Sequence, residues 1–305
     1  MSLVERTLQK MQQAGRAAAA DKPAKVATPA TETARAPTPP VVTAPERSTR
    51  PFQKPTATAN FDREELRRLN LLPPLSLERR LAGQFQIIKR PLVAAAQGHV
   101  GSNGASGAAV MVASALPGEG KTFTSLNLAL SLALEKDIEV LLVDADVRKP
   151  HVSRLLGVGG EPGLLELLSD EQLHPDAVIL GSNVPGLSVL PAGRPIDTAT
   201  ELLSSKRMRE LVNLLAPAGG RRVVLFDSPP LLLATESHAL STHMGQIVLV
   251  VRADVTPQKA VLQAIDSLGE GKQVGLVLNQ SNTAADVNYY GYGDYGDAPK
   301  KADAG

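Results

Sequence analysis

The sequence predicts an α/β domain built on a mostly parallel, doubly wound sheet with helices on both faces. Three observations predict it: apolar segments alternate with helical patterns from residue 108 onward, a glycine-rich turn joins the first strand to the first helix, and two later strands end in aspartate. Apolar runs without alternation are typical of parallel strands that are buried on both faces. The predicted strands span residues 108–113, 139–144, 187–190, 222–227, 246–251 and 274–279. The predicted helices span residues 121–136, 163–169, 199–216, 235–243 and 256–269.

The turn after the first predicted strand has the sequence Ser-Ala-Leu-Pro-Gly-Glu-Gly-Lys-Thr and spans residues 114–122. Its glycines let backbone N–H groups curl toward one point, and the following helix directs the positive end of its dipole to that point. This is the phosphate-binding arrangement of P-loop NTPases, although Ala115 replaces the first glycine of the usual pattern. The residues expected to bind the phosphates of ATP are Pro117, Gly118, Glu119, Gly120, Lys121, Thr122 and Phe123.

Three carboxylates stand at the ends of two other predicted strands. Asp144 and Asp146 lie two residues apart after one strand, and Asp227 ends another. In an open α/β sheet the carboxyl ends of the strands share the edge where ligands bind, so these carboxylates should converge on Lys121 and Thr122. Mg²⁺ prefers hard oxygen ligands, and phosphoryl transfer needs a group that orients or deprotonates the attacking hydroxyl. The three carboxylates can supply both.

Asn279 ends the last predicted strand on the same edge. Its side-chain amide can hydrogen-bond the edge of an adenine ring, but asparagine is also common in turns. The sequence leaves both interpretations open.

All four tyrosines of the chain lie close together near its end: they are Tyr289, Tyr290, Tyr292 and Tyr295. Tyrosines used for packing would be scattered through the strands, and none is found there. Glycines and aspartates separate them, which favours an extended and pliable segment. We predict that these tyrosines are phosphorylation sites; a sticky aromatic tail is the alternative.

Composition divides the chain into five segments: a short amphipathic helix over 1–14, a linker over 15–60, a helical lead-in over 61–98, the α/β domain over 99–282 and a flexible tail over 283–305. The linker is rich in Ala, Pro and Thr and holds eight of the 23 prolines, so we expect it to be disordered. The helix over 1–14 either docks on a partner or is a frayed terminus. In the lead-in we predict a short charged helix over 62–72 and a longer helix over 76–96.

Charge and composition exclude several classes of function. The formal net charge is +1, with +5 in the first 60 residues and −4 in the rest. We interpret the basic segment as solvated linker, although it could contact acidic lipid. No basic stripe is interleaved with aromatic residues, so we expect no nucleic-acid binding. There is no cysteine, no signal peptide and no apolar run of the roughly 18–20 residues that a membrane span needs, so we expect a cytoplasmic location.

Together these motifs resemble the bacterial tyrosine autokinases (BY-kinases), which act with polysaccharide chain-length determinant proteins. The resemblance covers about residues 85–295. It rests on Pro-Gly-Glu-Gly-Lys-Thr, on Asp-Ala-Asp-Val-Arg-Lys-Pro, on Asp-Ser-Pro-Pro and on the tyrosine cluster, with support from Leu-Pro-Ala-Gly and Thr-Glu-Leu-Leu-Ser-Ser. The short amphipathic start and the Pro-rich linker resemble the exosortase-associated form, whose membrane partner is a separate chain.

The resemblance implies a role for each matching residue. Lys121 and the loop would hold the phosphates of ATP, and Thr122, Asp146 and Asp227 would hold Mg²⁺ directly or through water. Asp144 would be the base toward a tyrosine hydroxyl. The resemblance also implies self-association and a peripheral place at the inner face of the plasma membrane through the partner. One motif departs from the family, because the Glu-x-x-Arg-x-x-Arg of its oligomerising helix is reduced to Lys89 here.

Two other functions share part of this pattern. The first is a partitioning or division-site ATPase that switches between membrane and cytosol, which has the same fold and the same strand-end aspartate. Such proteins usually carry an extra lysine early in the loop and often end in a basic amphipathic helix, and this chain has neither. The second is a scaffold with weak catalysis, against which the complete set of Lys121, Asp144, Asp146 and Asp227 argues.

Overall fold

The structure, a computed structural model, describes residues 57–98, 105–269 and 272–281. The predicted helix over 1–14, nearly all of the linker and the tyrosine-rich tail lie outside the described residues. The strands of the described part are β1 (Thr58–Ala59), β2 (Ala109–Ser114), β3 (Glu139–Asp144), β4 (Leu180–Ser182), β5 (Leu187–Leu190), β6 (Arg222–Asp227), β7 (Gln246–Arg252) and β8 (Gln273–Asn279). Its α-helices are α1 (Arg63–Arg68), α2 (Glu78–Gly98), α3 (Lys121–Leu132), α4 (His151–Leu155), α5 (Leu164–Ser169), α6 (Ala199–Ser204), α7 (Lys206–Leu215), α8 (Thr235–Ser241) and α9 (Gln258–Ser267).

The strands form one sheet in the order β1-β4-β5-β3-β6-β2-β7-β8. Every neighbouring pair is parallel except β4 and β5, which run antiparallel. The predicted mostly parallel α/β sheet is therefore confirmed. Helices fill the connections between most of the parallel strands, as crossovers of this kind require.

The centre of the sheet consists of β3, β6 and β2, which are buried along nearly their whole length. This burial explains why their sequences are continuous apolar runs. The parallel register pairs Asp144 of β3 with Asp227 of β6, and it pairs Val112 of β2 with the same Asp227. Two of the predicted site carboxylates therefore lie side by side where the strands end.

Some elements differ from the sequence prediction. The predicted helix over 199–216 is two helices, because Ser205 adopts an extended backbone and its hydroxyl accepts a hydrogen bond from the Met208 N–H at 3.2 Å, which caps α7. The predicted helix over 121–136 ends earlier, at Leu132. The sequence does not predict α4, β1 or β4, because such short elements carry too little periodicity to be recognised.

The lead-in packs on the domain and shares its core. Asp62 caps α1, because its carboxylate accepts hydrogen bonds from the N–H groups of Glu64 and Glu65 at 3.0 and 3.2 Å. Leu66 of α1 and Phe85 of α2 are buried in the same hydrophobic cluster as the central strands. The two predicted lead-in helices correspond to α1 and α2 with shifted ends.

Lys89 of α2 is almost completely buried, with 2% of its surface exposed. Its ammonium group donates a hydrogen bond to the Ser131 carbonyl at 2.9 Å and pairs with the Glu135 carboxylate at 2.7 Å. The positive charge of Lys89 is therefore used inside this chain, between α2 and the C-terminal end of α3.

No helix among the described residues is both long enough and apolar enough to cross a membrane.

Candidate active site

The loop between β2 and α3 has the backbone shape that its glycines predict. Gly118 and Gly120 have φ values of 76° and 92°, in the left-handed region that glycine adopts without strain. A Cβ built on Gly120 would lie 1.9 Å from the Asn279 amide nitrogen, so a larger residue does not fit there without displacing Asn279. The Ser114 hydroxyl donates a hydrogen bond to the Leu116 carbonyl at 2.6 Å and fixes the start of the loop.

Glu119 shapes this loop from inside. Its side chain is buried, and one carboxylate oxygen accepts a hydrogen bond from the Leu116 N–H at 2.6 Å. The other oxygen accepts a hydrogen bond from the Thr256 hydroxyl, which ties the loop to the segment after β7. Glu119 is one of the residues that the sequence predicts to bind phosphate. With its carboxylate engaged in this way, the group it can offer to a phosphate is its backbone N–H.

Lys121 and Thr122 open helix α3 and face the end of β6. The Lys121 ammonium donates to the Ser114 hydroxyl at 3.1 Å, and the Thr122 hydroxyl donates to the Asp227 carboxylate at 2.9 Å. Burial lowers the pKa of Lys121, while the carboxylates of Asp227, Asp146 and Glu119 oppose that shift. The structure thus brings Lys121, Thr122 and Asp227 together at the carboxyl edge of the sheet.

Asp227 is held on both of its oxygens. Besides Thr122, the Ser125 hydroxyl donates to it at 2.8 Å. Burial raises the pKa of Asp227 to about 6, against the opposing effect of these two hydroxyl hydrogen bonds and of Lys121. Ser125 is not predicted from the sequence. Its position one helical turn after the loop lysine is nevertheless a usable signal, because that turn faces the same strand ends.

Asp144 is fully buried, and its Oδ2 accepts hydrogen bonds from both the N–H and the hydroxyl of Ser153 at 2.7 Å. The Ser153 hydroxyl in turn accepts a hydrogen bond from the Ala192 N–H at 3.1 Å, which links the end of β3 to the segment after β5. Asp144 Oδ1 has no hydrogen-bond partner in the described part of the chain. Burial raises the pKa of Asp144 to about 7. Nothing in the local sequence identifies Ser153 as its partner.

Asp146 is partly exposed, and its Oδ1 accepts a hydrogen bond from the Lys149 N–H at 3.1 Å. Burial raises the pKa of Asp146, while this hydrogen bond and the charge of Lys121 oppose that shift. Lys121 and Asp146 are therefore close enough for the charge of each to shift the pKa of the other.

Arg148 belongs to the same strand-end motif and contacts a second network. Its guanidinium donates to the buried Glu236 carboxylate, which also accepts a hydrogen bond from the Thr200 hydroxyl at 2.9 Å. Glu236 therefore joins the ends of three segments, following β3, β5 and β6. The Thr-Glu-Leu-Leu stretch of the sequence takes part in this network through Thr200.

Asn279 braces the loop from the end of β8. Its amide donates a hydrogen bond to the Glu119 carbonyl at 2.9 Å, and the neighbouring Gln280 amide approaches the Gly118 carbonyl at 3.3 Å. Its predicted contact with adenine stays a prediction.

A cavity of about 510 Å³ opens at the loop. Its lining residues are Asn70, Leu71, Gly118, Gly120, Lys121, Thr122, Phe123, His151, Asn279 and Gln280. The loop residues and Asn279 are predicted from the sequence. Asn70, Leu71, His151 and Gln280 are not predicted from the sequence, because none of them belongs to a motif.

The residues at this site fit ATP with Mg²⁺. Glycines with left-handed backbone, a lysine and a helix N-terminus suit phosphate, and the Thr122 hydroxyl with the carboxylates of Asp146 and Asp227 are hard oxygen donors. Within the described residues, no cluster of three or more His, Asp or Glu side chains could hold a metal alone. That donor set suits Mg²⁺, which usually keeps water and phosphate oxygens among its ligands.

Comparison with known proteins agrees with this geometry. The sequence model of the family described as an AAA domain matches residues 108–272. Tyrosine-protein kinase YwqD of Bacillus subtilis (strain 168) is 34% identical over 189 residues, which are 61% of this chain and 78% of YwqD. Tyrosine-protein kinase ptk of Acinetobacter johnsonii is 31% identical over 172 residues, which are 56% of this chain but only 23% of ptk. The solved kinase domain of VpsO is 32% identical with a TM-score of 0.56, covering 73% of this chain and 100% of that domain.

The likeness to YwqD covers more than two thirds of that protein, and the likeness to VpsO covers the whole of its kinase domain. The matched region begins at β2 and contains the loop, the strand-end carboxylates and the central sheet. The chain therefore belongs to the bacterial tyrosine-protein kinase family, a family of enzymes with the nucleotide-binding α/β fold described above.

Proposed function

We propose that this chain is an ATP-dependent tyrosine autokinase that phosphorylates the tyrosines of its own C-terminal tail. The observation that carries the proposal is the hydrogen bond from Thr122, at the start of the loop helix, to Asp227 at the end of β6. It joins a phosphate-binding loop to a carboxylate that can hold Mg²⁺, and the register of the sheet places Asp144 next to that carboxylate. The tyrosine kinases among the relatives support the reaction type.

In the proposed reaction, the bond between the γ-phosphorus of ATP and its bridging oxygen breaks as a bond to the tyrosine oxygen forms, and ADP leaves. Lys121 and the loop N–H groups hold the phosphates. Thr122, Asp146 and Asp227 hold Mg²⁺, directly or through water. When bound, Mg²⁺ neutralises charge on the phosphates.

We propose that Asp144 accepts the proton of the tyrosine hydroxyl. Burial raises the pKa of this carboxyl to about 7, which suits a group that must accept a proton near neutral pH, and its Oδ1 has no partner in the described residues. Because Asp144 is completely buried, the proton reaches it through a water molecule or after the adjacent segment opens. Asp146 is the alternative acceptor: if Asp144→Asn keeps wild-type autophosphorylation at saturating Mg²⁺, Asp144 is not the group that accepts the proton.

The acceptors in this proposal are Tyr289, Tyr290, Tyr292 and Tyr295, in the chain itself or in a neighbouring copy. Each phosphate adds about −1.5 to −2 charge at pH 7, so full modification adds roughly −6 to −8. That charge would repel the acidic strand ends and release the tail from the site. Changing all four tyrosines to Phe should leave ATP binding intact and remove most of the incorporated phosphotyrosine. Phosphate found mainly on Ser or Thr would contradict this assignment.

We also propose that the kinase regulates exopolysaccharide polymerisation or export together with a membrane-bound chain-length determinant protein, a separate chain that holds it at the inner face of the plasma membrane. The family resemblance and the reduced oligomerisation motif at Lys89 support a partner that completes an otherwise weak kinase. A cytoplasmic peptide from such a partner should raise the autophosphorylation rate of the purified chain. An isolated, monomeric chain with full activity would contradict this part of the proposal.

The second candidate, an ATPase that switches between membrane and cytosol, shares the loop and Asp227. The two functions differ in the fate of the γ-phosphate, which is either attached to tyrosine or released. Incubation with γ-labelled ATP and Mg²⁺ separates them: label on protein tyrosine supports the kinase, and release of labelled phosphate without protein label supports the ATPase.

The central test uses Lys121→Met with Lys259→Met as its matched control, since Lys259 is exposed on α9. Loss of the loop ammonium should reduce autophosphorylation by a factor on the order of 10²–10³, and the control should retain it. Wild-type turnover in a folded Lys121→Met protein would remove the loop lysine from the mechanism.

A further inference from the structure

The Asn70–Leu71 turn of the lead-in lines the same cavity as the phosphate-binding loop, although α2 and β2 separate the two in the chain. Asn70 has a φ of 56°, a left-handed conformation that asparagine tolerates better than most residues. The N–H of Leu71 donates to the Leu66 carbonyl at 2.8 Å, so the turn is tied back to α1. The Asn70 side chain is exposed, and its amide is neutral.

Asn127 holds this turn against the loop helix. It lies in α3, it is largely buried, and its side-chain amide donates hydrogen bonds to the Leu71 carbonyl at 2.8 Å and to the Phe123 carbonyl at 2.7 Å. A buried amide inside a helix is unfavourable unless its hydrogen bonds are made. Here one of those bonds fixes a segment that comes from outside the α/β domain.

The lead-in contacts α3 at regular intervals along one face. The Phe85 ring lies 6.4 Å from the Phe123 ring, Leu71 meets Asn127, and Lys89 meets the Ser131 carbonyl. The three positions on α3 are four residues apart, so they lie above one another on the helix surface. The lead-in therefore follows the helix whose first turn carries the phosphate-binding lysine.

We propose that the Asn70–Leu71 turn is a nucleotide-contacting element, so that the lead-in completes the ATP site and Asn70 faces the bound triphosphate. This inference rests on the proposed function, in which Lys121 and the loop that line this cavity hold the phosphates of ATP. Asn127 is the positioning residue that keeps the turn in place. A change that detaches the lead-in from α3 then lowers the affinity for ATP while the loop itself stays intact.

Opposite charges placed at position 70 test the proposal, because they should shift the Kd for ATP in opposite directions. Asn70→Asp should raise the Kd for ATP, and Asn70→Lys should lower it, each by about fivefold at low salt, because a unit charge close to the phosphates acts through partly screened water. The matched controls are Ser76→Asp and Ser76→Lys, which place the same charges on an exposed lead-in residue that does not line the cavity. Titration with a fluorescent ATP analogue in Mg²⁺ gives the Kd without any measurement of activity.

A second pair of variants tests whether the hydrogen bond from Asn127 to the Leu71 carbonyl keeps the turn in place. Asn127→Ala should raise the Kd for ATP severalfold, whereas Lys89→Met breaks a different contact between the lead-in and α3 and should change the Kd less. The Asn70 variants alter an exposed side chain and keep the test valid should Asn127→Ala fail to fold.

The outcomes separate this inference from the proposed function. If the wild type binds ATP and Lys121→Met weakens binding, but both Asn70 charges act no more strongly than the Ser76 controls, the turn does not contact the nucleotide and the inference is wrong. Opposite shifts for Asn70→Asp and Asn70→Lys support it. A wild type that does not bind ATP would overturn the proposed function and this inference together.

Discussion

The centre of the sheet and its β8 edge both end at the candidate site, yet they are built differently. Leu142 in β3 has none of its surface exposed, whereas Leu276 and Leu278 in β8 are 59% and 70% exposed. The centre delivers carboxylates that are buried and hydrogen-bonded, such as Asp227. The edge delivers Asn279, whose amide braces the loop from the side. The buried packing of the centre therefore holds the carboxylate of Asp227 in place. The shape of the loop depends in part on Asn279, which ends a strand that is more exposed to solvent.

The edge also carries an apolar groove of about 590 Å³ between α2 and β8. Ile87 on α2 is 72% exposed there, close to the exposed face of β8. Substitutions in a centre that is packed on both faces should destabilise the fold, whereas substitutions at an edge of this kind should have small effects on stability. Four predictions test that difference, beginning with the loss of activity that we expect to be largest.

The largest expected effect is that of Asp227→Asn on activity at the centre. Losing a carboxylate that we propose to hold Mg²⁺ should lower the proposed autophosphorylation by a factor on the order of 10²–10³. Thermal stability should not fall in proportion, because burial raises the pKa of Asp227 to about 6, so its ionised form is unfavourable in the apo fold. Phosphotyrosine detection and a thermal melt measure the two effects. Asp266→Asn on the exposed surface of α9 is the control and should change neither.

A pair of leucines compares packing directly. Leu142→Ala should lower the free energy of unfolding by about 2–5 kcal/mol, because it leaves a cavity in a fully buried strand. Leu278→Ala should change it by no more than about 0.5 kcal/mol, since most of that side chain is already in water. Urea unfolding followed by circular dichroism gives both values. Equal losses would show that the edge is as tightly packed as the centre, for example through self-association.

A glycine cycle tests how the edge shapes the loop. Gly118→Ala adds only backbone strain, about 1–2 kcal/mol, because nothing lies within 4 Å of the added Cβ. Gly120→Ala adds the same strain together with a clash against Asn279, so its Kd for ATP should rise further. Adding Asn279→Ala to Gly120→Ala should restore part of the affinity by removing the clash. Asn279→Ala alone completes the cycle, because it measures the effect of losing the hydrogen bond from Asn279 to the Glu119 carbonyl. Strictly additive changes in the Kd would show that Asn279 does not restrict the loop.

A pH dependence of the Mg²⁺-free protein tests the buried charge at the centre of the sheet. Burial raises the pKa of Asp144 from 3.8 to about 7, so between these values the folded protein binds more protons than the unfolded chain. The free energy of unfolding should therefore fall as pH rises across that interval. Asp144→Asn should flatten the slope, and Asp266→Asn should keep it. Denaturant unfolding at several pH values, in a chelator, would contradict the prediction if both variants behaved alike.

The sequence by itself determines the architecture of the sheet and the chemistry of its edge. Unbroken apolar runs ending in Asp144 and Asp227 predict buried parallel strands with carboxylates at one edge, and Gly118, Gly120 and Lys121 predict a phosphate-binding loop. These signals are local, since each depends on residues a few positions apart in one strand, turn or helix. The sequence places Asn279 at the correct edge but does not predict its contact with the loop. It also predicts helix on both sides of Ser205 but not the division into two helices.

Only the tertiary structure decides which distant residues surround these motifs. Ser153 holds Asp144, Asn127 holds Leu71, and Asn70 reaches the loop cavity, yet none of them belongs to a recognisable pattern. Their contacts arise when the lead-in and α4 pack on the sheet, and periodicity carries no information about such pairings. Local sequence determines the backbone of the loop and the positions of the charged residues along the chain. The packing of distant segments against one another determines which hydrogen-bond partners those charged residues have.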